Sequence, residues 1–110
     1  MQEEKIDEKD WKLFRSKVAL WQEAYMERLL REYVNIINSD GTAEEKFWKV
    51  ARRIREDKKT AGVSVDMRRS QMERQIMELL SIGAIQLSDL DDFSDGLKMK
   101  MTFVKERLLK

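Results

Sequence analysis

The chain has 110 residues, with 22 Lys and Arg against 21 Asp and Glu, and it contains no histidine, cysteine or proline. Without imidazole or thiolate side chains it has no ordinary general base near neutral pH, no cysteine nucleophile and no nitrogen or sulfur site for zinc or copper. We therefore expect a non-enzymatic protein with no catalytic residue, no cofactor and no metal site. The apolar fraction of 42% is enough for the core of one small domain.

The location of the protein is predicted from apolar runs and cysteine content. No apolar run approaches the roughly 20 residues that span a bilayer, and the first ten residues are too acidic for a signal peptide. The lack of cysteine fits a reducing compartment. We expect a soluble, cytoplasmic protein that does not bind membranes, with one domain over residues 1–110 in which residues 1–9 are flexible.

The strongest periodic pattern begins at Asp10, ends at Asn38 and predicts one long helix. Its apolar residues recur at steps of three and four; they are Trp11, Phe14, Val18, Trp21, Tyr25, Leu29, Tyr33 and Ile36. The period is nearer 3.6 than 3.5 residues, which favours a globular bundle over a coiled coil. Asp7 or Asp10 is expected to cap the start of this helix, and Gly41 lies just after its end.

A second helix is predicted to begin at Thr42 and to end near Lys58 or Lys59. Thr42 and Glu45 have the spacing of a capping box, in which each side chain bonds the backbone N–H of the other residue. The apolar stripe of this helix is expected to face the core and consists of Phe47, Val50, Ala51 and Ile54. The three tryptophans, at positions 11, 21 and 48, are also expected to belong to the core.

Three further elements are predicted after a short loop at residues 60–65. A third helix is expected from an Asp66 cap to Gly83, and a one-turn helix from a Ser88 cap with Asp91 completing a capping box. Ser94 is expected to cap the last helix, whose apolar positions are Leu97, Met101, Val104 and Leu108. The predicted fold class is all-α, a small helical bundle with one long N-terminal helix, three shorter helices and a one-turn connector.

The length of the first helix suggests how the protein functions. Thirty helical residues span about 45 Å, whereas a compact domain of this size has a radius of gyration of about 13 Å. Apolar residues outside the main stripe therefore need a cover, and a second copy of the chain or another protein would supply it. We expect a homodimer whose interface includes Leu13, Leu20, Leu30 and Val34. The alternative is a monomer in which the long helix bends or breaks.

A second function remains open because basic residues concentrate in the middle of the chain. The segment that begins at Lys46 and ends at Arg74 has ten Lys and Arg against four Asp and Glu. Such residues supply sequence-independent affinity for phosphates. The candidates are Arg52, Arg53, Arg55, Lys58, Lys59, Arg68 and Arg69. The simpler interpretation is a solvated helix face, since no aromatic stacking surface or glycine-rich phosphate loop accompanies them.

Four short pieces carry a resemblance to a known family: residues 10–14 (DWKLF), 21–26 (WQEAYM), 46–48 (KFW) and 87–94 (LSDLDDFS). Together they resemble a family of small all-helical bacterial proteins of unknown function, over residues 10 to about 98. The resemblance implies a helical fold, favours an interaction or regulatory role and supplies no catalytic residue. Some members are labelled multidrug transporters, which conflicts with the lack of a membrane-spanning segment here.

Overall fold

The computed structural model describes residues 6–108, apart from the side chain of Leu108. Within these residues the chain forms four α-helices and no strand: α1 (Glu8–Ile37), α2 (Ala43–Asp57), α3 (Met72–Ser81) and α4 (Asp95–Leu108). One-turn 3-10 helices occupy Arg69–Gln71 and Leu87–Leu90. The predicted all-α bundle is confirmed. Of the residues expected to be flexible, 1–5 lie outside the described part of the chain, while Glu8 and Lys9 belong to α1.

Helix α1 is continuous over 30 residues, as its periodic pattern predicts. The Asp7 carboxylate caps it by accepting hydrogen bonds from the backbone N–H groups of Lys9 and Asp10 at 2.8 and 3.2 Å. The main apolar stripe faces inward: Phe14, Val18, Tyr25 and Leu29 are buried, and Trp11, Trp21, Tyr33 and Ile36 are half-buried. The alternative of a broken first helix is excluded.

The core lies at one end of the molecule, between the first half of α1 and the helices α3 and α4. Its buried members are Phe14, Val18, Ala61, Met72, Ile76, Leu79, Leu80, Ile85, Leu90, Phe93, Leu97 and Met101. Trp11 and Trp21 pack against this cluster, and the Trp21 ring lies 6.2 Å from the Phe93 ring, centroid to centroid. The prediction that these two tryptophans belong to the core is confirmed.

Hydrogen bonds from side chains hold the connecting loops against α1. The Gln22 amide donates to the Ala61 carbonyl at 3.1 Å, and the Ala61 N–H donates to the Glu78 carboxylate of α3. At the end of α3 the Arg28 guanidinium donates to the carbonyls of Ile82 and Gly83 at 3.2 and 3.0 Å. A cation there also suits the negative end of the α3 dipole.

Helix α3 begins later than its sequence pattern predicts. Residues 65–68 are not helical, and Arg68 is extended. The Asp66 carboxylate accepts from the backbone N–H and the guanidinium of Arg68, while the Asp66 N–H donates to the Gln75 side chain. The helix therefore starts at Met72, so the prediction of an Asp66 helix cap is wrong. Its predicted end is confirmed, since Gly83 adopts a φ of 73°, a conformation that favours glycine.

The short connector is capped two residues earlier than predicted. The Asp89 carboxylate accepts from the Gln86 N–H at 2.7 Å, so the predicted pair of Ser88 and Asp91 does not form the cap. Ser94 caps α4 as predicted, because its hydroxyl oxygen accepts from the Leu97 N–H at 3.3 Å. Leu97, Met101 and Val104 of that helix are buried. The predicted core position Leu108 lies outside the described side chains.

Candidate interaction surface

The second half of α1 and all of α2 form a helical hairpin that extends beyond the core. The chain turns back over residues 38–42, where Gly41 has a φ of 134° and Thr42 caps α2 by accepting from the Glu45 N–H at 3.1 Å. No residue of α2 (Ala43–Asp57) belongs to the core cluster. The molecule is accordingly elongated, measuring 57 × 26 × 26 Å. We call residues 23–59 the hairpin.

A half-buried polar cluster fastens α2 to α1. The Arg53 guanidinium donates to the Glu32 carboxylate at 2.6 Å and lies 3.6 Å from the Asp57 carboxylate. The Tyr33 hydroxyl donates to Asp57 at 2.5 Å, and the guanidinium of Arg53 lies 5.6 Å from the centroid of the Tyr33 ring. We call Glu32, Tyr33, Arg53 and Asp57 the Arg53 cluster. It fixes the side of α2 that faces α1.

The ionisation of the Arg53 cluster reflects these contacts. Burial, together with the hydrogen bond to the Asp57 carboxylate that stabilises the protonated phenol, raises the pKa of Tyr33 to about 12. The hydrogen bond to Glu32 raises the pKa of Arg53 above its ordinary value. Arg53 therefore keeps its charge and Tyr33 keeps its phenol proton across the physiological range of pH.

An apolar face of the hairpin remains open beside this cluster. On α1 it is formed by Leu30, Val34 and Ile37, which are 60%, 50% and 53% exposed. On α2 it is formed by Phe47 and Ile54, which are 66% and 41% exposed. Two pockets lie between α1 and α2, and Ile54 lines both. Leu30 lines one of them, and Ile37, Phe47, Val50 and Ala51 line the other. We call these seven residues the hairpin face.

The prediction that the apolar stripe of α2 faces the core is wrong. The stripe of Phe47, Val50, Ala51 and Ile54 was expected to pack against the core, but none of the residues Ala43–Asp57 is buried. Trp48, which was also expected in the core, is 61% exposed and packs edge-on against the Phe47 ring at 5.1 Å between centroids. The stripe is open because α2 lies beside the protruding half of α1, while α3 and α4 cover the other half.

The four residues predicted for an interface on α1 divide into two groups. Leu20, Leu30 and Val34 are exposed, with Leu20 at 71%, and Leu30 and Val34 belong to the hairpin face. Leu13 is half-buried and packs against the core, so it is removed from the candidate interface. The structure thus brings only Leu30 and Val34 together with further exposed apolar residues of α2.

The seven basic candidates for phosphate binding do not form one free cluster. Arg53 is held by Glu32 and Asp57, Arg68 by Asp66, and Arg69 by Glu8. The hydrogen bonds from Arg68 lower the pKa of Asp66 to about 2. The other four, namely Arg52, Arg55, Lys58 and Lys59, are exposed and form no ion pair with another residue in the range 6–108. Those four lie on α2 and just after it.

A polar pocket lies at the other end of the molecule, where α1, α3 and α4 meet. Its lining includes Asp7, Asp10, Glu73, Ser94 and Lys100. The Asp10 carboxylate, 2% exposed, accepts from the N–H and the hydroxyl of Ser94, and Lys100 donates to Glu73 at 3.0 Å. These contacts join helices. Within residues 6–108 no group of three or more carboxylates is arranged to hold a metal ion.

Comparisons with known proteins found no relative of this chain. No family model, curated protein or solved structure matches the chain. The resemblance to small helical bacterial proteins therefore stays a prediction. Among the helices of residues 6–108, none has both the length and the apolar character needed to cross a bilayer.

Proposed function

We propose that this protein is a non-enzymatic interaction module that associates with itself through the exposed apolar residues of α1. The observation that carries the proposal is the exposure of Leu30, Val34 and Ile37 on one long helix. Leucine and valine rows of this kind are costly in water, at about 25 cal/mol per Å² of apolar surface. A second copy of the chain would remove them from solvent. We propose that the module acts in the bacterial cytoplasm.

The length of α1 supports the proposal. Its first half is covered by α3, α4 and the loops, whereas α2 covers only one side of its second half. The remaining side carries exposed apolar residues at Leu30, Val34 and Ile37, which lie within two turns of one another. Scattered single apolar residues on a surface need no explanation, but a contiguous group of this kind is typical of an interface.

Sedimentation equilibrium of the full chain tests self-association. The wild-type protein is expected to sediment as a dimer at micromolar concentration, and Leu30→Glu is expected to shift it toward monomer because a carboxylate would be buried in the interface. Met99→Glu is the matched control, since Met99 on α4 is also highly exposed, at 73%, but lies away from the hairpin. A wild-type chain that is monomeric at every concentration would refute the proposal.

A second candidate function is binding to nucleic acid. It is favoured by four exposed cations that form no ion pair within residues 6–108, namely Arg52, Arg55, Lys58 and Lys59. Their close spacing would place several positive charges along a phosphate backbone. If this function holds, a mobility shift with duplex DNA or RNA appears at about 50 mM salt and weakens by orders of magnitude at about 200 mM. Apolar self-association would change little over the same range.

A further inference from the structure

The hairpin face combines two rows of apolar side chains from two different helices. Leu30, Val34 and Ile37 follow one another along α1 at steps of four and three residues. Phe47 and Ile54 lie seven residues, or two helical turns, apart on α2. Both line a pocket with Ile37 of α1, and Ile54 lines a second pocket with Leu30. A two-helix layer with an apolar face is half of a two-layer structure, because such a face is normally buried against another layer.

We infer that the hairpin face of one chain packs against the hairpin face of a second copy, so that two hairpins form a four-helix bundle. This inference rests on the proposed self-association and adds the part that α2 contributes to it. Leu30, Val34, Phe47 and Ile54 lie inside the bundle, whereas Leu20, on α1 nearer the core, lies outside it. The partner is therefore a two-helix layer of this same chain.

The area of the face fits one stable interface. The exposed members of the hairpin face, together with Trp48 at its edge, are 41% to 66% exposed. If the full surface area of a large apolar side chain is about 150–250 Å² and about half of it is exposed, these six residues together expose on the order of 600 Å² of apolar surface. A standard interface buries about 800 Å² per partner, of which about 57–65% is apolar. The face and a polar rim therefore supply what a dimer needs.

The charge of the hairpin suits a second copy better than a strongly charged partner. Residues 23–59 contain nine Lys and Arg and eight Asp and Glu, so two hairpins carry almost no net charge and do not repel each other. On the α1 rim, Glu27 and Arg31 already pair with each other at 3.3 Å. A two-fold symmetric interface requires a surface that is compatible with itself, and this balance of charges meets that requirement.

The shape of α2 also permits packing against itself. Phe47 projects from a row in which the residues four positions before and after it are Ala43 and Ala51. A large side chain flanked by small ones presents one projection and two adjacent depressions. In a two-fold pair, the projection of each chain can enter a depression of the other, which is how helices in bundles interdigitate.

Sedimentation equilibrium on single variants of the full chain tests the inference. Phe47→Glu is expected to weaken dimerisation by about thirtyfold or more, since it places a carboxylate at the centre of the interface. Leu20→Glu, on α1 but outside the bundle, and Met99→Glu, on α4, are expected to leave the dimer intact. Because Phe47 is 66% exposed in the single chain, Phe47→Glu should keep its helical circular dichroism and its melting temperature at low concentration.

A second measurement follows the environment of Trp48 by fluorescence. Trp48 lies at the edge of the hairpin face, and in a chain with Trp11→Phe and Trp21→Phe it is the only tryptophan. As the protein concentration rises and the dimer forms, its fluorescence emission should shift to shorter wavelength. The shift should be absent when Phe47→Glu is added. Two outcomes separate the claims. If Leu20→Glu dissociates the dimer while Phe47→Glu does not, the bundle is refuted and self-association through α1 stands. If the wild-type chain never dimerises, both are refuted.

Discussion

Asp10, near the start of α1, accepts hydrogen bonds from both the backbone N–H and the hydroxyl of Ser94, at 2.8 and 2.6 Å, although the two residues are 84 positions apart in the sequence. Ser94 itself caps α4. The N-termini of the first and last helices are thereby joined by one buried carboxylate. This contact closes the end of the molecule that contains the core and leaves the hairpin to extend from the other end.

Replacing this carboxylate should destabilise the fold. Asp10→Ala removes the buried acceptor of two hydrogen bonds and leaves the half-buried Ser94 N–H without its partner. The expected cost is about 1–3 kcal/mol, because the lost hydrogen bonds are to a charged group. Asp7→Ala, which removes only the exposed cap of α1, should cost about 1 kcal/mol. Urea denaturation followed by circular dichroism measures both. A smaller loss for Asp10→Ala than for Asp7→Ala would contradict the account of the Asp10–Ser94 contact.

Gly62 is expected to be intolerant of any side chain. A Cβ atom there would lie 2.3 Å from Cδ2 of the buried Tyr25 ring, so Gly62→Ala must displace that ring or the loop. We expect a loss of about 1–3 kcal/mol in the free energy of unfolding.

Gly96→Ala is the matched control for Gly62→Ala. Apart from its chain neighbours and the backbone of its own helix, no heavy atom lies within 4 Å of a Cβ at position 96. Alanine is favoured over glycine in a helix by about 1 kcal/mol. Thermal or urea denaturation should therefore show a higher free energy of unfolding for Gly96→Ala and a lower one for Gly62→Ala than for the wild-type chain. Equal effects of the two substitutions would show that the approach of Gly62 to Tyr25 is not as close as described.

The phenol of Tyr33 should lose its proton at an unusually high pH. In a Tyr25→Phe background Tyr33 is the remaining tyrosine, so tyrosinate absorbance reports its pKa directly, and we expect a midpoint near 12 rather than 10. Adding Asp57→Asn should lower that pKa, because the acceptor charge that favours the protonated phenol is lost. A midpoint near 10 without Asp57→Asn would contradict the arrangement of Tyr33 in the Arg53 cluster.

The same shift has a consequence for stability at high pH. The pKa of Tyr33 is higher in the folded chain than in the unfolded chain, so the folded state retains the proton between pH 10 and about 12. The contribution of this group to stability is therefore fully present below pH 10 and is lost as the pH rises through 12.

The Arg53 cluster should govern the attachment of α2. Arg53→Gln removes the contacts to Glu32 and Asp57, and we expect α2 amides to exchange hydrogen faster, with a loss of about 1 kcal/mol because the cluster is partly open to solvent. Arg52→Gln is the control, since it removes the same charge from the adjacent, exposed residue. Similar exchange in both variants would show that the cluster does not hold the hairpin together.

The sequence is sufficient to predict the elements whose causes are local. The 3.6-residue period predicts α1, and the hydroxyl caps at Thr42 and Ser94 and the glycine at position 83 are found where they are expected. The start of α3 is different because the bonds of Asp66 to Arg68 and Gln75 compete with a helix cap. Local patterns do not reveal which of two competing hydrogen-bonded arrangements is adopted.

The candidate site depends on facts that a periodic pattern does not contain. The stripe of Phe47 and Ile54 shows that α2 has an apolar side, but not whether another helix covers it. The excess length of α1 over a compact body is the available signal, and it points to Leu13, Leu20, Leu30 and Val34 but not to the exposed stripe of α2. The contact of Asp10 with Ser94 could not be predicted either, since the two residues are 84 positions apart and only the complete fold brings them together.

The most direct test of self-association through the hairpin is sedimentation equilibrium of the unmodified chain over a range of micromolar concentrations, at about 50 mM and about 500 mM salt. Because apolar burial is little affected by screening, whereas interactions of exposed charges are weakened, we expect the mass of two chains at both salt concentrations. The mass of one chain at every concentration, or a dimer that dissociates when salt is added, would contradict the account.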